Sequence, residues 1–149
     1  MNTFLTPSIC SYGALRRATR GIGQLYDGMI GSAGINAAQY NLLHTISRLD
    51  APTQSELAGE MVMDLSALGH TLKPLIRDGL AASRKDNEDA RRRRITLTEA
   101  GEAKLHEAEV LWKQAQKRFD SLVGRTNARE FREMLDQLAS PEFAEQFLA

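Results

Sequence analysis

The chain has 149 residues, enough for one domain with a real core, and its 42% apolar and 26% charged content is ordinary for a globular protein. Its 19 basic and 19 acidic side chains cancel, which excludes a protein that binds polyanions with its whole surface. No apolar run is long enough to span a membrane, Met1-Asn2-Thr3-Phe4 lacks the features of a secretory signal, and a single cysteine, Cys10, excludes an internal disulfide framework; all three fit a cytoplasmic protein.

Taken in chain order, the pattern is mostly helical. Leu15, Ala18, Ile22, Leu25, Tyr26 and Met29 recur at helical spacing and predict a first helix over about 9–31, ended near Gly31 and Gly34. Asn36 with Gln39 three residues on reads as a capping box, opening a second helix with Tyr40, Leu43, Ile46 and Leu49 that stops before Pro52. Thr53 and Glu56 repeat that spacing ahead of a short third helix carrying Leu57, Ala58 and Met61. Asp64 can cap a fourth helix with Leu65, Leu68, Leu72, Leu75 and Ile76, stopped at Gly79. Pro74 lies inside it, where a missing N–H and a crowded carbonyl predict a bend.

The period then changes. Leu80–Arg84 and Ile95–Leu97 are short strand-like pieces, and the polar segment Lys85–Arg94 between them reads as a hairpin tip. Thr98 can cap a long helix whose Leu105, Ala108, Trp112, Ala115, Phe119 and Leu122 form a heptad-like seam, serving either intrachain packing or association with a second copy. Gly124 breaks it. A last helix carries Phe131, Met134, Leu135 and Leu138, and Pro141 precedes a short apolar tail. The fold class is therefore mainly α with a small β-hairpin. A tight helix pair followed by a helix and a two-stranded hairpin is a winged helix-turn-helix arrangement.

The charge is concentrated in one place. Residues 84–94 carry Arg84, Lys85 and the run Arg91, Arg92, Arg93 and Arg94 against Asp86, Glu88 and Asp89. An isolated basic run is ordinarily a solvated loop. At the tip of a wing it can instead meet phosphates or a narrow minor groove, with Ile95 and Leu97 anchoring it. Alternation along a strand would turn Arg92 and Arg94 away from Arg91 and Arg93. Asp89, two residues before Arg91, is placed to orient the Arg91 guanidinium.

These residues resemble the MarR family of transcriptional regulators. Asp89-Ala-Arg91 followed by Ile95-Thr-Leu97-Thr98-Glu-Ala-Gly101 is similar to the family's wing pattern of D-x-R, an apolar residue, L-T and a glycine. Thr53-Gln-Ser-Glu-Leu57-Ala58 and Leu72-Lys-Pro-Leu75-Ile-Arg-Asp-Gly79-Leu80 resemble its helix-turn-helix, and Cys10–Arg20 resembles the first helix of one subgroup. The resemblance covers roughly residues 8–120. It implies a cytoplasmic homodimer, with residues 35–98 as the DNA-binding region and residues 1–34 and 99–149 as the helical dimerisation region. It implies a repressor that reads double-stranded DNA at an inverted-repeat operator, released by an oxidant or a small molecule.

On the fourth helix, Leu65, Ser66, Ala67, Gly69, His70 and Lys73 are the outward candidates. Ser66 and His70 can hydrogen-bond base edges, Ala67 or Leu65 can touch a thymine methyl, and Lys73 suits a phosphate. Such a helix is poor in bidentate readers, which shifts specificity toward the wing and DNA shape. Cys10 reads as a buried small hydrophobe or, alternatively, as an oxidant sensor. Arg16, Tyr40, His44 and Trp112 can line an effector pocket if their helices converge; otherwise they are core or boundary residues. His44, His70 and His106 lack metal-ligand spacing, so no metal or other cofactor is expected. The sequence holds no phosphate loop, nucleophile elbow or H-E-x-x-H, which argues against an enzyme. RNA binding would want stacking aromatics beside the basic patch. The remaining alternative is a helical dimer that serves as a protein-interaction module without DNA.

Overall fold

The computed structural model describes residues 9–149. Its elements are helices α1 (Ser11–Ile30), α2 (Ala37–Leu49), α3 (Gln54–Glu60) and α4 (Leu65–Arg77), strands β1 (Ala81–Lys85) and β2 (Arg93–Leu97), and helices α5 (Glu99–Val123), α6 (Arg125–Leu138) and α7 (Pro141–Leu148), with a 3-10 turn at Gly31–Ala33. This is the mainly α winged-helix arrangement expected, with one helix more: the segment after Pro141 is not a tail. Ser140 caps α7 by accepting the Phe143 N–H at 3.1 Å, and Pro141 occupies the first helical position, where its missing N–H costs nothing.

Local chemistry sets the boundaries. Asn36 and Gln39 exchange side-chain and backbone hydrogen bonds of 2.8 and 3.0 Å, and Thr53 and Glu56 do the same at 3.2 and 2.7 Å, so both capping boxes form. Asp64 accepts the Ala67 N–H at 2.7 Å to open α4. The helix runs through Pro74 and ends in a Schellman motif, in which Leu80 N–H reaches the Leu75 carbonyl at 2.8 Å and Gly79 N–H the Ile76 carbonyl at 3.1 Å. Gly79 takes the left-handed conformation this requires, at φ 72°.

Strands β1 and β2 pair antiparallel, Ala81 opposite Leu97 through Lys85 opposite Arg93. Pro52 and Thr53 add a third, single-residue rung: Ile95 N–H donates to the Pro52 carbonyl at 2.8 Å, and Thr53 bridges Arg94. One core lies between the helices and this small sheet. Its fully buried members include Ile30, Leu42, Leu43, Ile46, Leu57, Leu68, Leu72, Leu75 and Ile95. Ala108 belongs to the same core, and Leu105, Leu111 and Trp112 of α5 pack against it. The α5 seam thus divides. Its first half packs within the chain, and Phe119 stacks on Phe131 of α6 at 6.3 Å, but Leu122 stays 82% exposed.

Where the wing leaves the long helix, two backbones nearly touch. Thr98 N–H donates to the Leu80 carbonyl at 3.1 Å, its hydroxyl donates to the Gly79 carbonyl at 2.5 Å, and Gly101 sits against Leu80 so closely that a Cβ there would fall 1.8 Å from the Leu80 oxygen. The glycine of the Leu97-Thr98-Glu99-Ala100-Gly101 stretch therefore has a steric reason.

Candidate nucleic-acid interface

Helix α4 is anchored by Leu68, Leu72 and Leu75 and turns the opposite face outward. Ser66, Gly69, His70 and Lys73 are exposed, as is Leu65, while Ala67 is half-buried. Four of these fall at positions 66, 69, 70 and 73, one continuous stripe at helical spacing. The turn before it is built around Val62, which holds φ 52° while 68% exposed. A β-branched residue in that region is strained.

The hairpin tip is folded by carboxylates. Asp86 Oδ1 accepts the N–H groups of Glu88 and Asp89 at 2.7 and 3.1 Å, and its own N–H donates to the Arg92 carbonyl at 3.0 Å. Those two amide bonds, with the Arg94 guanidinium adding to them, hold the Asp86 carboxyl below the ordinary aspartate range. Asp89 accepts the Arg91 backbone N–H at 3.0 Å and pairs with the Arg92 Nε at 3.6 Å. The expectation that Asp89 orients the Arg91 guanidinium is corrected here. It holds Arg91 by the main chain, and the side chain it engages is that of Arg92.

Arg91, Arg92 and Arg93 are all exposed. Strand alternation does not sort them as expected, because β2 begins only at Arg93 and the first two belong to the turn. Arg93 lies opposite Lys85 in register, and Arg84 lies opposite Arg94. Lys85 and Arg84 are exposed cations that the sequence reading counted as charge without naming as site residues. The pairing register is the signal that would have placed them.

Three of the four pocket candidates come together. Tyr40 stacks on His44 at 6.1 Å and on Trp112 at 5.7 Å, joining α2 to α5. Tyr40 is only 4% exposed, and burial, followed by the nearby Glu109 charge, pushes its hydroxyl pKa up. Arg16 is not part of this stack. It lies on exposed α1, donates to the Tyr12 hydroxyl at 2.7 Å and covers the Tyr12 ring at 5.5 Å. Cys10 is exposed rather than buried, because it caps α1: its sulfur accepts the Gly13 N–H at 3.4 Å.

The MarR family model matches residues 35–92, that is, α2 through the wing tip. Over a longer stretch, the transcriptional regulator MOSR of M. tuberculosis, solved in complex with DNA, is 33% identical, with a TM-score of 0.81 over 92% of this chain and 97% of that one. The chain belongs to the MarR family. Two further regulators are similar to this MarR-family chain. PetP of Rhodobacter capsulatus is 29% identical over 127 residues, 83% of this chain and 75% of PetP. YdgJ of Bacillus subtilis is 26% identical over 106 residues, 71% of this chain; the match spans 63% of YdgJ's length. All three are described as transcriptional regulators, which places this MarR-family chain among regulators of transcription.

Proposed function

We propose that this chain is a homodimeric repressor that binds double-stranded DNA at an inverted-repeat operator and lets go when an oxidant or a small molecule acts on it. The observation that carries this reading is the pairing of an exposed α4 stripe with an exposed cationic wing tip on one winged helix. Ser66 and His70 meet base edges in the major groove, Ala67 lies beside them, and Lys73 meets phosphate. Arg91, Arg92 and Arg93 reach the backbone and the minor groove beside it. With few bidentate readers on α4, wing and DNA shape carry much of the selectivity. The MOSR structure, a complex with DNA, supports this for a protein of 33% identity.

Residues 35–98 form the DNA-reading part, and residues 1–34 and 99–149 the dimerisation part. Apolar exposure supports the division. Ile22, Leu25, Val110, Leu122, Val123, Phe131 and Met134 are large, exposed hydrophobics on α1, α5 and α6. A groove of about 420 Å³ between α1 and α5 is lined by Leu25, Met29, Phe119 and Leu122. Apolar surface on this scale marks an interface, and a second copy presenting the same face would cover it. The Tyr40–His44–Trp112 stack links the two parts, so a ligand that repacks it would shift one against the other. Cys10 offers a second, oxidative input at the start of α1.

Among the described residues no helix is long and apolar enough to cross a membrane. The reading places the protein in the cytoplasm with DNA and assigns it no catalytic activity. Selection of bound fragments from genomic DNA, followed by hydroxyl-radical footprinting, tests it. The expected footprint is an inverted repeat with half-sites about one helical turn apart, ~10 bp. Protection of no fragment would refute the DNA-binding reading and leave the interaction module, and uniform protection of every fragment would refute sequence specificity.

A further inference from the structure

We propose that Arg94, the last arginine of the run, makes no DNA contact and is a positioning residue: with Asp86 it latches the wing onto the α2–α3 connector. The proposal rests on the reading of the wing as a DNA-binding element.

The arginine run divides by its partners. The Arg92 side chain is 67% exposed, and the side chain of its counter-ion Asp89 is 44% exposed. The Arg94 side chain is 39% exposed, and it faces Asp86, whose side chain is 4% exposed. Arg94 Nε donates to Asp86 Oδ2, and Nη1 donates to the Ala51 carbonyl at 2.9 Å. Asp86 spends its other oxygen on the Glu88 and Asp89 amides, so the carboxylate is fully engaged inward. Like charges stand opposite each other at Arg84 and Arg94 in the strand register, an arrangement that repels. Asp86 neutralises the Arg94 member of that pair.

The far end of the latch is also informative. Asp50 and Ala51 follow α2 with φ 53° and 59°, two successive left-handed residues. Such backbone persists where surrounding contacts hold it. Here Arg94 grips the Ala51 carbonyl, Ile95 N–H holds the Pro52 carbonyl, and Thr53 bridges Arg94 before starting α3. The connector that carries α3 and the root of the wing are therefore joined by a backbone bridge and, beside it, by one guanidinium. A planar fork can serve a carboxylate and a carbonyl together; a lysine ammonium is a single point charge and cannot bridge them with the same geometry. The latch fixes the angle at which Arg91, Arg92 and Arg93 approach DNA.

The test uses full-length protein and a labelled duplex selected from random DNA by the wild type. Asp86→Asn and Arg94→Gln should each weaken binding roughly tenfold, the loss of about one arginine contact. The double variant should bind no more weakly than either single one, because the pair acts as a unit. Arg94→Lys should not restore affinity. Hydroxyl-radical protection should disappear at the wing and persist where α4 lies, at a temperature well below each variant's melting point. If Arg94 instead contacts DNA, Asp86→Asn removes a negative charge near phosphates and tightens binding, and the two substitutions add; either result overturns the proposal. Should the variants fold poorly, wild-type NMR decides. The Arg94 Nε–H signal should be visible without DNA and unmoved by it while those of Arg91 and Arg93 shift, and an Arg94 shift of equal size would overturn the latch. A wild type that selects no duplex would overturn the DNA-binding reading and the latch with it. Tightening in Asp86→Asn would overturn the latch alone.

Discussion

Replacing Gly101 with alanine should drive the wing and the long helix apart. The new Cβ would lie 1.8 Å from the Leu80 carbonyl oxygen, about 1.6 Å short of the 3.4 Å at which ordinary contact begins. The obstacle is backbone, so no rotamer change relieves it. Moving α5 away stretches Thr98 N–H from the Leu80 carbonyl and the Thr98 hydroxyl from the Gly79 carbonyl. Two hydrogen bonds at about 1 kcal/mol each and residual overpacking of about 1–3 kcal/mol outweigh a helix-propensity gain of up to ~1 kcal/mol. The net expectation is a loss of about 2–4 kcal/mol, a fall in Tm of roughly 5–15 °C at this chain length. Gly69→Ala is the matched control. Nothing lies within 4 Å of its Cβ position in mid-α4, so the same chemical change should stabilise by up to ~1 kcal/mol. Urea denaturation of both variants at one fixed protein concentration measures the pair. A Gly101→Ala protein as stable as the wild type would refute the close-approach argument.

Other expectations follow from the same geometry. Val62→Gly relieves a left-handed β-branched residue whose side chain is mostly in solvent, so thermal melts should show a gain of about 1 kcal/mol; a lower Tm would show that the side chain packs. Asp120 accepts hydrogen bonds of 2.9 Å from both Arg132 and Gln116, and these, Arg132 first, lower its pKa from 3.8. A lowered folded-state pKa stabilises above the unfolded value and loses that contribution as pH falls through the folded one. Acid melts below about pH 4 should therefore be shallower in Asp120→Asn than in the wild type, and identical slopes would remove Asp120 from the account. Leu122→Glu puts a charge on the exposed apolar face, so light scattering should report monomers for the variant and dimers for the wild type, with unchanged helicity; an intact variant dimer would move the interface elsewhere.

Much of the fold was legible because its signals are local. Asn36–Gln39, Thr53–Glu56, Asp64–Ala67 and Thr98–Gly101 each close within three residues, and each opens a helix where the chain order predicts it. Helix α7 escaped because it is short and its Phe143 and Phe147 stack largely in solvent rather than in the core, leaving the Ser140-Pro141 start as its only signal. The site was less legible, since side-chain direction depends on distant partners. Arg94 turns inward toward Ala51, 43 residues earlier in the chain. Tyr40 meets Trp112 across two helices, whereas Arg16 finds Tyr12 one turn away. Gly101 could be matched to a pattern, but its reason appears only when Leu80 is seen beside it.

The proposed function requires DNA binding by the wing. Fluorescence-anisotropy titration of wild type and Arg91→Ala, on the selected duplex and a scrambled one across a salt series, tests it most directly. The wild type should prefer the selected duplex, with affinity falling steeply by about 0.9 in log–log slope for each phosphate engaged. Arg91→Ala should bind more weakly at every salt concentration. A flat salt dependence with equal binding to both duplexes, or an Arg91→Ala protein of undiminished affinity, would contradict the account.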